Sequence, residues 1–301
     1  MKIESERDFV GYGPTPPHPR WPGDARLAVN FVINIEEGSE ASIFDGDKYT
    51  ESSLTELGFQ KSEVTERDLG AESMFEYGSR VGIWRLLRTF SERKIPLTAY
   101  ACALALERNP LIAQQIRKEN YDICGHGWRW EKHFELDEAT ERDRIKKSIA
   151  SIQNMTGTRP YGWYCRYSPS INTRRLLVEE GGFLYDSDSY ADELPYWVQV
   201  GKIPHLIIPY TLATNDVKFI RGGMSTSKHF FTFLDDSIDV LLREGQSQPK
   251  MISIGLHSRI IGHPGRIKGL SRLLDKIMQN RQIWLARRVD IARHWIKHFH
   301  P

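Results

Sequence analysis

Cysteine is scarce in this sequence: Cys102, Cys124 and Cys165 are the whole complement of 301 residues, and no two stand in a CxxC spacing. That excludes a disulfide-stapled scaffold and a cysteine-only zinc site. Long apolar runs are missing as well, since no stretch approaches the ~18 residues that a membrane-spanning helix needs. The opening "MKIESERDFVGYGPTPPHPRWPG" lacks the apolar centre of a secretory leader, so a cytoplasmic protein is expected. There is no excess of charge of either sign, with 41 Lys and Arg against 39 Asp and Glu. Without a basic patch, nucleic acid is not an expected partner, and neither is a membrane. Repeats and low-complexity tracts are absent too.

What is present is alternation. Short β-branched runs at 26–35, 97–103, 121–125, 160–165, 183–185, 205–210, 250–257 and 283–287 read as strands. Between and after them lie amphipathic helical patterns at 81–93, 137–157, 171–182, 229–245, 265–280 and 289–299. The segment 137–157 carries a full set of signals. Asp137 can cap its start, Ile145, Ile149 and Ile152 repeat at helical spacing, and Gly157 can end it. Serial βα units predict an α/β fold with one parallel sheet closed into a barrel-like form. With 40% hydrophobic residues and no interdomain linker, residues 26–301 are expected to form one domain. Residues 1–25, rich in Pro and Gly, read as an extended arm, of which residues 11–23 are expected to pack on a neighbouring subunit.

Two connections, 36–80 and 186–204, are long, and long loops in a compact domain are usually functional. Both leave the C-terminal end of a strand, where barrels place their chemistry. At these strand ends the polar residues collect: Glu36 and Glu37 after the first, His126 after the third, Arg166 after the fourth, Asp186 and Asp188 after the fifth. Asn215 and Asp216 follow the sixth, His257 closes the seventh and Arg287 trails the eighth. Each has a bland reading: a solvated glutamate pair, a structural histidine, an Asx-turn at Asp186-x-Asp188, an Arg287–Asp290 pair at a helix start. Their convergence on one rim is what points to an active site.

At these residues the chain resembles a known family. An acidic pair after the first strand, "GHG" after the third, an arginine segment after the fourth and a late "LH" resemble the NodB-homology polysaccharide deacetylases. The likeness is closer still to the cofactor-independent allantoinase branch. It is carried by "GYGPTPPHPRWPGDARLAVNFVINIEEGSE", "ESMFEYGSRVGIWRLL", "CGHGWRW", "GWYCRYSPSINTRRLLVEEGGFLYDSDSYADELPYW", "IPYTLATNDVKF", "ISIGLHSRIIGHPGR" and "WLARRVDIARHW". The resemblance implies a distorted (β/α) barrel and a homo-oligomer. It places Glu36 at the family's base, Glu37 at its metal-binding acid, His126 and Trp130 at its two metal histidines, and His257 at its late acid. Trp130 breaks that pattern, because an indole has no lone pair for a metal. Two segments also depart from the branch, "YCRYSP" around Arg166 and "GGMSTSKHFF" at 222–231.

The expected site is therefore catalytic Glu36, Glu37, His126 and His257, with Trp130, Arg166, Asp186, Asp188 and Asn215 binding a small ureide or imide. No cofactor is expected, with zinc as the alternative. Zinc needs about three protein donors, and His133, roughly 10 Å of helical rise beyond His126, is too far to join them. Burial of Glu36 beside Glu37 is expected to raise its pKa and make it a general base. The activity expected is opening of a cyclic amide ring, allantoin to allantoate, without a metal. The alternatives are a cyclic-imide hydrolase, a metal-dependent amino-sugar deacetylase, and an inactive barrel that binds a small molecule.

Overall fold

Strand β1, Leu27–Ile35, is buried along its whole length and sets the geometry of the protein. A computed structural model describes residues 7–57 and 66–301. After β1 come helices α1 (Leu69–Tyr77) and α2 (Ile83–Ser91), joined by a π-helical turn at Gly78–Gly82, then β2 (Thr98–Ala101). Helices α3 (Ala103–Arg108) and α4 (Pro110–Lys118) lead to β3 (Asp122–Gly125), and α5 (Glu138–Thr156) leads to β4 (Gly162–Trp163). Next are α6 (Thr173–Glu180), β5 (Tyr185–Asp186), β6 (Tyr196–Val200), β7 (Ile203–Ile207), α7 (Lys218–Arg221) and α8 (Ser227–Glu244). The chain ends with β8 (Lys250–His257), α9 (Pro264–Ile277), β9 (Ile283–Leu285) and α10 (Arg288–His298).

The sheet runs β6-β7-β5-β4-β3-β2-β1-β8, parallel throughout except for the antiparallel β6–β7 hairpin. One edge of β1 pairs with β8; the other is shared, its first residues with β9 and its last with β2. The sheet curls but does not close. An isolated bridge, Asn215 to Gly255, stands near the opening. The expected (β/α) barrel is thus a distorted half-barrel.

Period-two alternation in β1 decides which residues face the site. Leu27, Val29, Phe31, Ile33 and Ile35 join the core under the helices, where Phe31 meets Phe90 edge-on at 5.2 Å. Each such side chain fully buried stabilises the fold by about 1.5–3 kcal/mol. Ala28 and Val32 point into the barrel, as do Asn30 and Asn34, whose amides donate to carbonyls of β8 at 2.9 and 3.2 Å. The same alternation continues past the strand: Glu36 falls on the barrel side and Glu37 on the helix side. In β8, Ile252, Ile254 and Leu256 join the helix-side core, which turns His257 inward.

Helix α5 starts and stops where its signals put it: Asp137 accepts from the Thr140 amide at 2.8 Å, and Gly157 takes φ 75°. Other segments differ from the sequence reading. The connection 36–80 contains α1, although residues 58–65 of it lie outside the described ones, and 186–204 contains β6. The described part of the arm makes contacts on its own chain, with Trp21 only 2% exposed between Trp284 and Trp295 and its indole donating to the Lys250 carbonyl at 2.9 Å. Tyr12 donates to the Pro195 carbonyl at 2.6 Å. Gln248 donates to the Pro14 carbonyl at 3.1 Å, and His294 Nε2 lies 2.8 Å from the Pro19 carbonyl, so polar contacts along the arm add to these two aromatic anchors.

Candidate active site

At the C-terminal end of the sheet a cavity is lined by Asn34, Glu36, His126, Trp130, Arg166 and His257. Tyr164, Tyr167, Tyr210, Asn215 and Arg221 complete its polar and aromatic wall. Glu36 is at its centre. Its Oε1 is 3.2 Å from His126 Nε2 and 3.6 Å from His257 Nε2, and its Oε2 accepts from Arg259 Nη2 at 2.7 Å.

The two imidazoles are oriented from behind. His126 Nδ1 lies 2.7 Å from the Tyr164 carbonyl, which can only accept, so that nitrogen carries a proton. A neutral ring would then present its Nε2 lone pair to Glu36, and the contact needs a proton between them. His257 Nδ1 lies 2.7 Å from Asp216 Oδ1, while Asp216 Oδ2 takes the His257 amide at 2.7 Å and the Ile261 amide at 3.2 Å. Burial opposes charge on His257, but Asp216 and then Glu36 outweigh it and hold its pKa above the ordinary value.

Glu37 points away from the cavity. Its Oε1 accepts from Ser258 Oγ at 2.5 Å, Arg259 Nη1 at 3.1 Å and the Arg259 amide at 3.3 Å; its Oε2 takes the Glu36 amide at 3.3 Å. The π-turn brings Gly78 against this carboxylate, so close that a Cβ there would lie 2.6 Å from Oε1. Gly255 is needed for a similar reason: a Cβ on it would fill the space of Tyr210 Oη and the Asn215 amide.

Arg259 overturns one expectation. Burial does push the Glu36 pKa up, as the largest single effect, but Arg259, His257 and His126 together hold it well below the ordinary carboxylate value. Glu36 is an ionised, arginine-paired carboxylate, because burial arrives together with a fixed cation.

The cavity gathers Glu36, His126, His257, Trp130, Arg166 and Asn215, with Glu37 just behind. Arg166 lies over the Trp130 ring at 3.6 Å, donates to the Trp130 carbonyl at 2.8 Å and pairs with Glu51 at 2.5 Å, yet its buried Nε has no partner. Asn215 donates to Tyr210 Oη at 3.0 Å. Asp186 and Asp188 are not brought to the cavity. Asp186 is taken by Arg174 at 2.7 Å and His205 at 3.1 Å, and Asp188 accepts the Cys165 amide at 2.7 Å. Arg287 keeps its bland reading, paired with Asp290 at 2.8 Å. His133 is tied to Glu141 at 2.9 Å, away from the cavity lining. Of the segment 222–231 none lines the cavity, although its neighbour Arg221 does.

Sequence reasoning missed Arg259 as a site residue and assigned no role to Asp216. The signal for Arg259 was its spacing, two residues after His257 on the loop that turns back over the glutamates.

Residues 67–184 match the Polysaccharide deacetylase family. A Schizosaccharomyces pombe protein described as a polysaccharide deacetylase is 38% identical, the match covering 96% of each chain. Two solved structures resemble this one along nearly all of its length. A Pseudomonas aeruginosa PAO1 protein described as a polysaccharide deacetylase is 47% identical, with TM-score 0.93 over 97% of this chain and 98% of that one. Puue allantoinase is also 47% identical, with TM-score 0.94 over 99% of both chains. The chain belongs to the polysaccharide deacetylase (NodB-homology) family, and the likeness to Puue allantoinase supports the allantoinase branch within it. By family it is a hydrolase. Among the described residues no helix is long and apolar enough to cross a membrane.

The metal implied by the wider family does not fit these residues. Trp130 offers no ligand atom, both Glu37 oxygens are already hydrogen-bonded, and the Arg259 guanidinium lies against both carboxylates. Among the described residues no three His, Cys, Asp or Glu side chains are arranged to hold an ion.

Proposed function

We propose that this protein hydrolyses the C–N bond of a small cyclic amide, opening allantoin to allantoate or, as a second choice, another ureide or imide ring, without a metal. The observation that carries the reading is Glu36 set between two imidazoles, each fixed from behind, in a cavity walled by aromatic and polar side chains.

In this reading a water beside Glu36 attacks the ring carbonyl carbon. The Glu36–His126 pair enters the step as a Glu36 carboxylate and a neutral His126; the water's proton goes to it, and the 3.2 Å contact is the geometry it has once that proton is held. Arg259 makes Glu36 alone a weak acceptor, so the base is the pair rather than the carboxylate. Negative charge growing on the carbonyl oxygen is met by the free Arg166 Nε–H, a preformed donor in a site walled by Trp130 and tyrosines. As the C–N bond breaks, His257, whose protonated form the Asp216 carboxylate favours, gives the Nε2 proton to the departing nitrogen. The 3.6 Å separation of His257 Nε2 from Glu36 Oε1 then provides the route by which the pair's proton returns to His257.

The test is ring opening of allantoin by protein dialysed against chelator, with metal quantified in the same sample, and cyclic imides assayed in parallel. Turnover with negligible metal is expected. Inactivity on every ring, together with zinc-dependent deacetylation of a chitooligosaccharide, would overturn the proposal in favour of an amino-sugar deacetylase.

A further inference from the structure

We propose that Arg259 is the resident cation of this site, standing where a metal would otherwise neutralise the glutamate pair, and that Trp130 is the aromatic face that accompanies it. The first support is bond accounting. Arg259 Nη2 donates to Glu36 at 2.7 Å, Nη1 to Glu37 at 3.1 Å, and Nε to the Leu54 carbonyl at 3.0 Å. The guanidinium is thereby locked across both carboxylates by all three nitrogens. Its second support is where it lies: 4.8 Å from the Phe75 ring and 5.0 Å from the Trp130 ring, with Arg166 at 3.6 Å from the same indole.

An indole cannot ligate zinc, but it attracts a guanidinium, and most strongly where both are shielded from water. The absence of a ligand at position 130 and the presence of a cation at 259 are then one feature of site chemistry rather than two. Two adjacent buried carboxylates need compensating positive charge, and a guanidinium supplies it in fixed, bidentate geometry. The same guanidinium closes the site to a divalent ion by occupying Glu37 and repelling a second cation. Arg259 acts through Glu36 and Glu37, which makes it a positioning residue. The inference deepens the metal-free reading above, but its readout needs no substrate.

The experiment is zinc titration of the full chain by calorimetry and thermal shift, with bound metal counted, for wild type, Trp130→His, Arg259→Met and the double variant. Wild type is expected to bind no zinc at the site, and Trp130→His only weakly. The double variant, left with Glu36, Glu37, His126 and a histidine at 130, is expected to bind one ion per chain, lost when Glu37→Gln is added. Its affinity should exceed that of Trp130→His by on the order of 100-fold, since a unit cation beside a divalent ion repels strongly even in a screened interior. Zinc binding by Trp130→His as tight as by the double variant overturns the proposal, because Arg259 would then block nothing. Failure of the folded double variant to bind also overturns it. If the double variant does not fold, the wild type decides: a zinc-dependent rise in Tm that Glu37→Gln abolishes sinks the idea, and an unchanged Tm upholds it. No result on allantoin bears on these outcomes, so the two proposals fail separately.

Discussion

Gly78→Ala is a small change whose effect should reach the catalytic centre. Gly78 sits at φ −57°, ψ −50°, a helical conformation that alanine prefers, so backbone propensity alone would stabilise the variant by about 1 kcal/mol. The new Cβ, however, would lie 2.6 Å from Glu37 Oε1, 2.8 Å from its Cγ and 2.9 Å from its Cδ. Relief requires a shift of about an ångström, because ordinary carbon contacts begin near 3.5 Å. Glu37 is not free to give way, being held by Ser258 Oγ at 2.5 Å and Arg259 Nη1 at 3.1 Å. Overpacking a buried site costs about 1–3 kcal/mol. Losing one hydrogen bond to a charged group costs about 1.5–3 kcal/mol more. Against the helix gain, the net is roughly 1.5–5 kcal/mol of destabilisation. Displacing Glu37 also drags Arg259 from Glu36, so ring-opening kcat should fall along with the denaturant midpoint. Gly70→Ala, on the exposed first turn of α1, is the control and should leave kcat unchanged. Urea unfolding with an unchanged m-value, beside steady-state kinetics, measures both effects. A Gly78→Ala variant as stable and as active as wild type would refute the claim that Glu37 is pinned.

Glu36→Gln should keep the fold but lose activity, because an amide cannot accept the proton of water; near-normal turnover would remove Glu36 from the mechanism. Asp216→Asn should leave secondary structure intact and lower kcat by on the order of a thousandfold, since the imidazole is no longer held in its working tautomer. Its basic limb should also move. His257 must be protonated to act as the acid, Asp216 raises its pKa, and so the variant should lose activity at lower pH than wild type. A pH–rate profile with the basic limb unmoved would take His257 out of the acid role. Away from the site, burial and then Asp186 push the Asp188 carboxyl up to about 7. Between the ordinary carboxylate value and that pH the folded chain holds a proton that the unfolded chain has lost. Stability should therefore fall as pH rises through this window, by up to about 1.4 kcal/mol per unit. Asp188→Asn should flatten that decline in urea midpoints measured from pH 4 to 7, and an equally steep decline in the variant would contradict the assignment.

The strands and long helices were legible because burial imposes a period on them. Runs such as 250–257 are buried on both faces, as in a covered parallel sheet, and α5 carries its own caps. Helix α1 and strand β6 were not legible, because one lies in a polar connection and the other is half-exposed along most of its length. At the site, residues that end a strand were found by position alone: Glu36, His126, Arg166, Asn215 and His257 all reach the cavity. Asp186 met the same positional criterion but failed a chemical one. Arg174 and His205, neither of them at a strand end of the same rim, already satisfy it. Position along a strand says where a side chain emerges; it does not say what is waiting there.

The glutamate pair makes the same point with the opposite sign. Adjacent carboxylates in a buried setting suggest repulsion and a raised pKa, and that inference holds only while nothing else enters the space. Period two sends Glu36 into the cavity and Glu37 behind it, so the pair offers two separate oxygens to one guanidinium. The residue supplying it lies 222 positions beyond Glu37, on the turn after β8, where β1–β8 pairing brings it back over the glutamates. Pairing of the first strand with the eighth is a property of the sheet order, not of any local sequence. A fixed cation then replaces repulsion with a shared ion pair, and proton uptake moves from Glu36 alone to its contact with His126. The chemistry of this site thus depends on topology before it depends on composition.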